Sequence, residues 1–170
     1  MICLVGEAWG SEEERLNGVP FIGPAGVQLI QLLADSGLLE LSPYDKSMLH
    51  SYWIAKDSNY IALLWKAHPE FHCTNVFKLH PPRNDLNALC TSKTEAAPGL
   101  SALTPGKYLR AEFLPHVLDL YDEIEKLNPD LIIALGNTAC WALMGQTSIS
   151  KIRGVAVYCN PAERKNALQR

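Results

Sequence analysis

Ile2-Cys3-Leu4-Val5-Gly6-Glu7-Ala8-Trp9-Gly10, followed after an acidic stretch by Gly18-Val19-Pro20-Phe21-Ile22-Gly23-Pro24-Ala25-Gly26, is the passage from which the fold is read. The apolar run 2–5 has the character of a buried strand, and the glycines and prolines behind it describe a strand that empties into a tightly shaped loop. The loop feeds a helix over 25–36, where Val27, Ile30, Leu32 and Leu33 recur at helical spacing. Gly37 stands where a left-handed C-terminal cap is expected.

A glycine-rich turn between strand and helix most often cradles a phosphate on its backbone amides. Here the Gly-Lys-Ser/Thr ending of a P-loop is missing, and so is a compact Gly-x-Gly-x-x-Gly fingerprint. A carboxylate, Glu7, stands just past the expected strand end instead, and an aromatic, Phe21, sits between Pro20 and Gly23. That pair suits a neutral planar ring better than a polyanion.

Outward from this passage the elements alternate. Strands over 2–5, 73–77, 131–135 and near 155–159 are separated by helices over 25–36, 107–127 and 138–144, the order of a parallel-sheet protein. The apolar runs of the strands suit burial on both faces. We expect an α/β fold, a three-layer α/β/α arrangement around a central four-stranded, mainly parallel sheet. Ligands of such sheets bind outside the carboxyl ends of the strands, and Glu7, Asn75 and Gly136 all fall there.

With 170 residues, 48% of them apolar, the chain suffices for one core, so a single domain over 1–170 is the expectation. A helical insert occupies about 38–71 and a surface loop about 91–106. The insert carries Tyr44, Met48, Tyr52, Trp53, Tyr60, Leu63, Leu64 and Trp65 among Lys46, Lys56 and Lys66. These aromatics either cover one side of the core, the reading we favour, or form a stacking platform for single-stranded nucleic acid. No run approaches the roughly 20 apolar residues needed to cross a bilayer, and no basic leader is present, so a cytoplasmic protein is expected. Five cysteines without a Cys-x-x-Cys pair speak against a disulfide framework and against a clustered metal site. Cys3 reads as a small buried hydrophobe.

Three blocks together resemble one family. Gly6-Glu7-Ala8-Trp9-Gly10 with Gly18-Val19-Pro20-Phe21-Ile22-Gly23-Pro24-Ala25-Gly26 is similar to the first motif of the uracil-DNA glycosylase superfamily, nearest its family 4. Thr74-Asn75-Val76-Phe77-Lys78-Leu79-His80-Pro81-Pro82-Arg83-Asn84 resembles the family's Thr-Asn-x-x-Lys-x-x-Pro-Pro segment. Pro129-Asp130-Leu131-Ile132-Ile133-Ala134-Leu135-Gly136-Asn137-Thr138-Ala139 is similar to its buried strand and following helix.

The resemblance implies an enzyme that flips uracil from DNA and hydrolyses its N-glycosidic bond, leaving an abasic site. It implies uracil contacts from Gly6, Ala8, Phe21 and Asn75. The Asn75 carboxamide can pair with N3–H and O4 of uracil while mismatching cytosine, and Phe21 would stack on the base; their plain alternatives are a strand-end cap and core packing. Glu7 occupies the position associated with the water-activating loop, where a carboxylate orients water and stabilises a cationic sugar; otherwise it caps the loop. Trp9 replaces the motif's usual proline.

Two departures stand out. Family 4 members carry an iron–sulfur cluster, with two cysteines near the N-terminus and one directly after the motif lysine; Leu79 occupies that last position, and the chain opens at the first strand. We therefore expect no cofactor and no metal. The His-Pro-Ser or His-Pro-Ala of the last motif has its nearest counterpart in Asn160-Pro161-Ala162, whose amide could donate to uracil O2, so Asn160 joins Glu7 as a catalytic candidate. His68-Pro69 looks like that motif but lies ahead of Asn75 and reads as a helix end.

A net charge of −3 does not draw the chain onto DNA, so a local patch must. Lys78, His80, Arg83, Arg153 and Arg164 are the DNA-binding candidates, with Lys151, Lys165 and Arg170 near the last of them. The partner expected is DNA containing uracil or a related base, met by a monomer. The alternative is a catalytically weak or inactive member that binds uracil-containing or modified DNA as a recognition module; a third reading is an enzyme acting on another modified base.

Overall fold

The computed structural model describes residues 1–55 and 57–169, and, for 52–55, the backbone only. The roles considered for Tyr52, Trp53, Lys56 and Arg170 lie outside the described residues. The chain divides into two compact units, one of Met1–Trp9 with Glu70–Arg170 and one of Gly10–Pro69.

The first unit is built on a parallel sheet in the order β2-β1-β5, with β1 at Ile2–Ala8, β2 at Phe71–Phe77 and β5 at Leu131–Ala134. β1 is central. Cys3, Leu4 and Val5 are fully buried, as an apolar run covered on both faces requires. In register, Gly6 of β1 stands beside Asn75 of β2, and Ile2 to Val5 pair with Leu131 to Ala134 of β5. Two helices supply the core. α5, Leu114–Leu127, buries Val117, Leu120, Tyr121 and Ile124 at helical spacing, while α6, Asn137–Met144, is buried nearly all round. Together with Cys3, Val5, Val76 and Phe77 they form one apolar cluster centred on Trp141, whose ring stacks on Phe77. A short α7, Ile149–Ile152, and α8, Pro161–Leu168, complete the unit. α8 is fastened by Arg164, whose Nε donates to the Ala142 carbonyl at 3.0 Å and to the Tyr121 hydroxyl at 3.4 Å.

The second unit is helical. It holds α1 at Ser11–Arg15, α2 at Pro24–Asp35, α3 at Pro43–Ala55 and α4 at Ser58–Ala67. Pro24 sits in the first turn of α2, where its missing N–H costs nothing, and Gly37 beyond the helix end adopts a φ of 75°. Buried Ser58 donates to Glu12 at 2.7 Å, and the Tyr60 hydroxyl donates to Asp45 at 2.7 Å, tying α4 to α1 and to α3. The insert is thus two helices, and His68 caps the end of the second.

The α/β fold with a parallel sheet flanked by helices is as expected, but three expectations need correction. Among the described residues the central sheet has three strands rather than four: 155–159 is irregular and unpaired, and Val155, Val157 and Tyr158 are 61%, 50% and 86% exposed. An alternating apolar run becomes a strand only where a ladder and a covering layer receive it. The helix expected over 107–127 starts only at Leu114, with Pro115 in its first turn. Its first residues instead form β4, Tyr108–Leu109, which pairs antiparallel with β3, Cys90–Thr91. The loop between those strands is therefore pinned at its base, and it buries Ala97 and Leu103. Among the described residues no helix is long and apolar enough to cross a membrane.

Candidate functional site

β1 runs two residues past Gly6, so Glu7 lies within the strand's last stretch rather than beyond it. Its side chain is exposed, and one carboxylate oxygen is held: Thr138 Oγ1 donates to Glu7 Oε2 at 2.6 Å. Thr138 belongs to the first turn of α6 and is 3% exposed. The turn that delivers it depends on Gly136, whose φ of 93° and ψ of 173° lie in a region that only glycine occupies without strain. Strand end, turn and helix start thus converge on one carboxylate. Glu7 Oε1 has no hydrogen-bond donor among the described residues.

One strand away stands Asn75. It is 3% exposed, yet its carboxamide makes no hydrogen bond to any described residue. No buried side-chain nitrogen or oxygen among the described residues lacks a partner, so the Asn75 amide atoms reach solvent at the carboxyl end of a parallel strand, where a ligand can meet them. Gly6, its register partner, brings no side chain to the pair, and the Ala8 beyond adds only a methyl group. The Trp9 amide donates to the Leu79 carbonyl at 3.1 Å, which fixes the chain where it leaves the sheet.

Phe21 belongs to the second unit. It has a φ of 55°, rare for an aromatic residue, and two contacts hold it there. Trp65 Nε1 donates to its carbonyl at 3.0 Å, and Gly26 packs so closely that a Cβ at that position would lie 1.7 Å from the same oxygen. The ring itself is half-buried.

The cationic candidates separate into two groups. Arg83, Arg153 and Lys151 are exposed, and Arg83 with Asn84 forms a turn of two left-handed residues at φ 58° and 56°. His80 is half-buried. Lys78, by contrast, donates to Glu123 on α5, joined there by Thr74 Oγ1 at 2.9 Å and His72 Nε2 at 2.7 Å. Burial pushes the Glu123 carboxyl up, but hydrogen bonds from His72, Lys78 and Thr74 outweigh it and hold the group at about 2. Arg164 is spent on fastening α8 and Lys165 on an ion pair with Asp122.

Asn160 caps α8, its Oδ1 accepting from the Glu163 amide at 3.3 Å. Its Nδ2 has no acceptor among the described residues. It lines a cavity of about 270 Å³ with Gln146, Tyr158 and Arg164, which neither Glu7 nor Asn75 lines. A larger apolar cavity of about 630 Å³ follows the free edge of β5, between Leu131, Ile133, Ile152 and Val157, again apart from both. Register thus sets Asn75 beside Gly6 near the carboxyl ends of β1 and β2, with Glu7 and Ala8 following Gly6 on β1, whereas Asn160 stands at the start of α8 in the same unit. Sequence reasoning overlooked Thr138 and Glu123. For Thr138 a signal existed, a hydroxyl in the first helical turn after a strand-ending glycine; for Glu123, on a helix flank, there was none.

The cysteines do not fit an iron–sulfur cluster. Cys3, Cys90 and Cys140 are buried, burial drives the Cys3 thiol up to about 12, and Leu79 fills the position after Lys78. Among the described residues no three His, Cys, Asp or Glu side chains are grouped as metal ligands.

Comparison with known proteins bears on residues 1–167, which match the model of the uracil DNA glycosylase superfamily. A type-4 uracil-DNA glycosylase of Thermotoga maritima is 32% identical over 155 residues, covering 90% of this chain. The chain spans 55% of that relative's length.

Proposed function

Because the chain belongs to the uracil DNA glycosylase superfamily, we propose that it hydrolyses the N-glycosidic bond between uracil and deoxyribose in DNA, leaving an abasic site. The observation that carries the reading is Asn75, a carboxamide with no hydrogen bond to a described residue at the carboxyl end of β2, one strand from the Glu7 carboxylate on β1. Its amide offers an acceptor for uracil N3–H and a donor for O4, the two groups that cytosine presents reversed. A base must leave the stack to reach such a position, and uracil leaves it at a cost of a few kcal/mol.

In the step itself, Glu7 Oε1 accepts a hydrogen bond from water and aims the water oxygen at C1′. The C1′–N1 bond breaks as the C1′–O bond forms, the negative carboxylate stabilises the cationic sugar between them, and the water proton passes to Glu7 and on to solvent. Uracil departs as an anion with the bonding pair on N1, to be protonated after release. Asn160 Nδ2 is the donor the resemblance offers for uracil O2, but it lines a cavity that Glu7 and Asn75 do not, so no step is assigned to it.

Asn160 also favours a second reading. It lines a cavity that Glu7 and Asn75 do not, which suits a protein that recognises uracil in DNA and cleaves slowly or not at all. Incubating the purified protein with an end-labelled oligonucleotide containing one uracil, then treating with hot alkali, separates the two. Strand scission at the uracil alone supports the hydrolase; retention of a uracil-dependent complex without scission supports the recognition module.

A further inference from the structure

We propose that Thr138 is the positioning residue of Glu7, holding one carboxylate oxygen so that the other is presented to water in a single orientation. The inference rests on the hydrolytic role proposed for Glu7 and deepens it. An exposed carboxylate at a strand end is free to turn, and an attacking water is aimed only as well as the group that holds it. Among the described residues Glu7 is restrained by one hydrogen bond, the 2.6 Å bond from Thr138 Oγ1, across 131 residues of sequence.

Three features make Thr138 suited to that task. It is 3% exposed, so its hydroxyl has no water to turn to and would be a buried unsatisfied donor without Glu7. A threonine in a helix usually returns its hydroxyl to a carbonyl of the preceding turn; at the first turn of α6 there is none, and the Gly136 turn directs the residue toward β1 instead. Being β-branched, it is also stiff about χ1, so the oxygen it presents stays in place. Serine would keep the donor with less stiffness, whereas valine would keep the shape and lose the donor.

The test compares Thr138→Val and Thr138→Ser in the full chain. With enzyme in excess over a single-uracil oligonucleotide, the cleavage rate of Thr138→Val should fall on the order of 10-fold while the half-saturating enzyme concentration stays unchanged. Thr138→Ser should recover most of it. Carboxyl-carbon NMR of the protein alone, with Glu7 assigned through Glu7→Gln, supplies a readout independent of cleavage. At neutral pH the Glu7 carboxyl carbon should change its chemical shift in Thr138→Val, where the donor is lost, and keep the parent's value in Thr138→Ser. An unchanged carboxyl resonance and rate in Thr138→Val, or an equal loss in both variants, overturns the proposal. If the parent chain leaves the oligonucleotide intact, or Glu7→Gln cleaves as fast as the parent, the hydrolytic reading fails, and the carboxyl resonances then decide whether Thr138 holds Glu7.

Discussion

Asn75 and Gly26 show how much a single residue carries here. For Asn75 the question is which hydrogen-bonding edge it presents. Replacing it by Asp exchanges a donor for an acceptor, so Asn75→Asp should weaken acceptance of uracil and raise acceptance of cytosine, read by alkali cleavage of matched uracil and cytosine oligonucleotides. Equal preference in parent and variant would remove Asn75 from base reading. For Gly26 the question is space. A methyl group there meets the Phe21 carbonyl oxygen at 1.7 Å and its carbon at 2.3 Å, both backbone atoms that cannot swing aside. Gly26→Ala should therefore cost about 3 kcal/mol in denaturant unfolding, whereas Gly23→Ala should cost less than about 1 kcal/mol. Nothing lies within 4 Å of a Cβ at position 23. If the two substitutions cost the same, Phe21 is not held by this packing.

At the scale of elements, the junction of β2 and α5 is set by electrostatics as well as by packing. Glu123 on α5 accepts from Thr74 and Lys78 and is bonded to His72, so a single carboxylate gathers the polar side chains of one strand. Its folded-state value of about 2 lies below the ordinary 4.5. A depressed carboxyl contributes stability that is fully present above the ordinary value and is lost as pH falls through the depressed one. Glu123→Gln should thus lower stability at neutral pH by about 2 kcal/mol and flatten the loss of stability of the parent between about pH 4.5 and about pH 2. Urea unfolding across that range checks both; an unchanged acid limb would assign the loss to other carboxylates. Lys78 is bound into this junction, which makes it a fastener of the sheet rather than an open site for phosphate.

For the whole molecule, charge limits how DNA can be held. The net charge is −3, and several cations that crowd the motif ends in sequence are already paired: Lys78 with Glu123, Arg164 with carbonyl and hydroxyl oxygens, Lys165 with Asp122. Arg83, Lys151 and Arg153 remain exposed. Three phosphate contacts release few counterions, so a plot of log affinity against log salt for a uracil-containing oligonucleotide should have a slope of about −2 to −3. A slope steeper than about −6 would mean that a larger basic surface takes part.

Sequence alone determined the parts whose causes are local. The strand run 2–5, the glycine and proline signals behind it, the Pro24 start of α2 and the helical spacing of 25–36 each act within a few residues, and the structure follows them. The strand over 131–134 and the buried helix over 138–143 were legible for the same reason. The tertiary structure decided what depends on a partner. Residues 155–159 carry a strand pattern but are paired to no strand, while Tyr108 and Leu109, read as helix, found one in Cys90 and Thr91. At the candidate site the residue types of Glu7 and Asn75 were visible in the motifs, but not the Thr138 hydroxyl on Glu7 nor the idle amide of Asn75. Whether a side chain is held or left free is settled by atoms that chain folding brings from far away, here across 131 residues, and nothing in the local sequence encodes that distance.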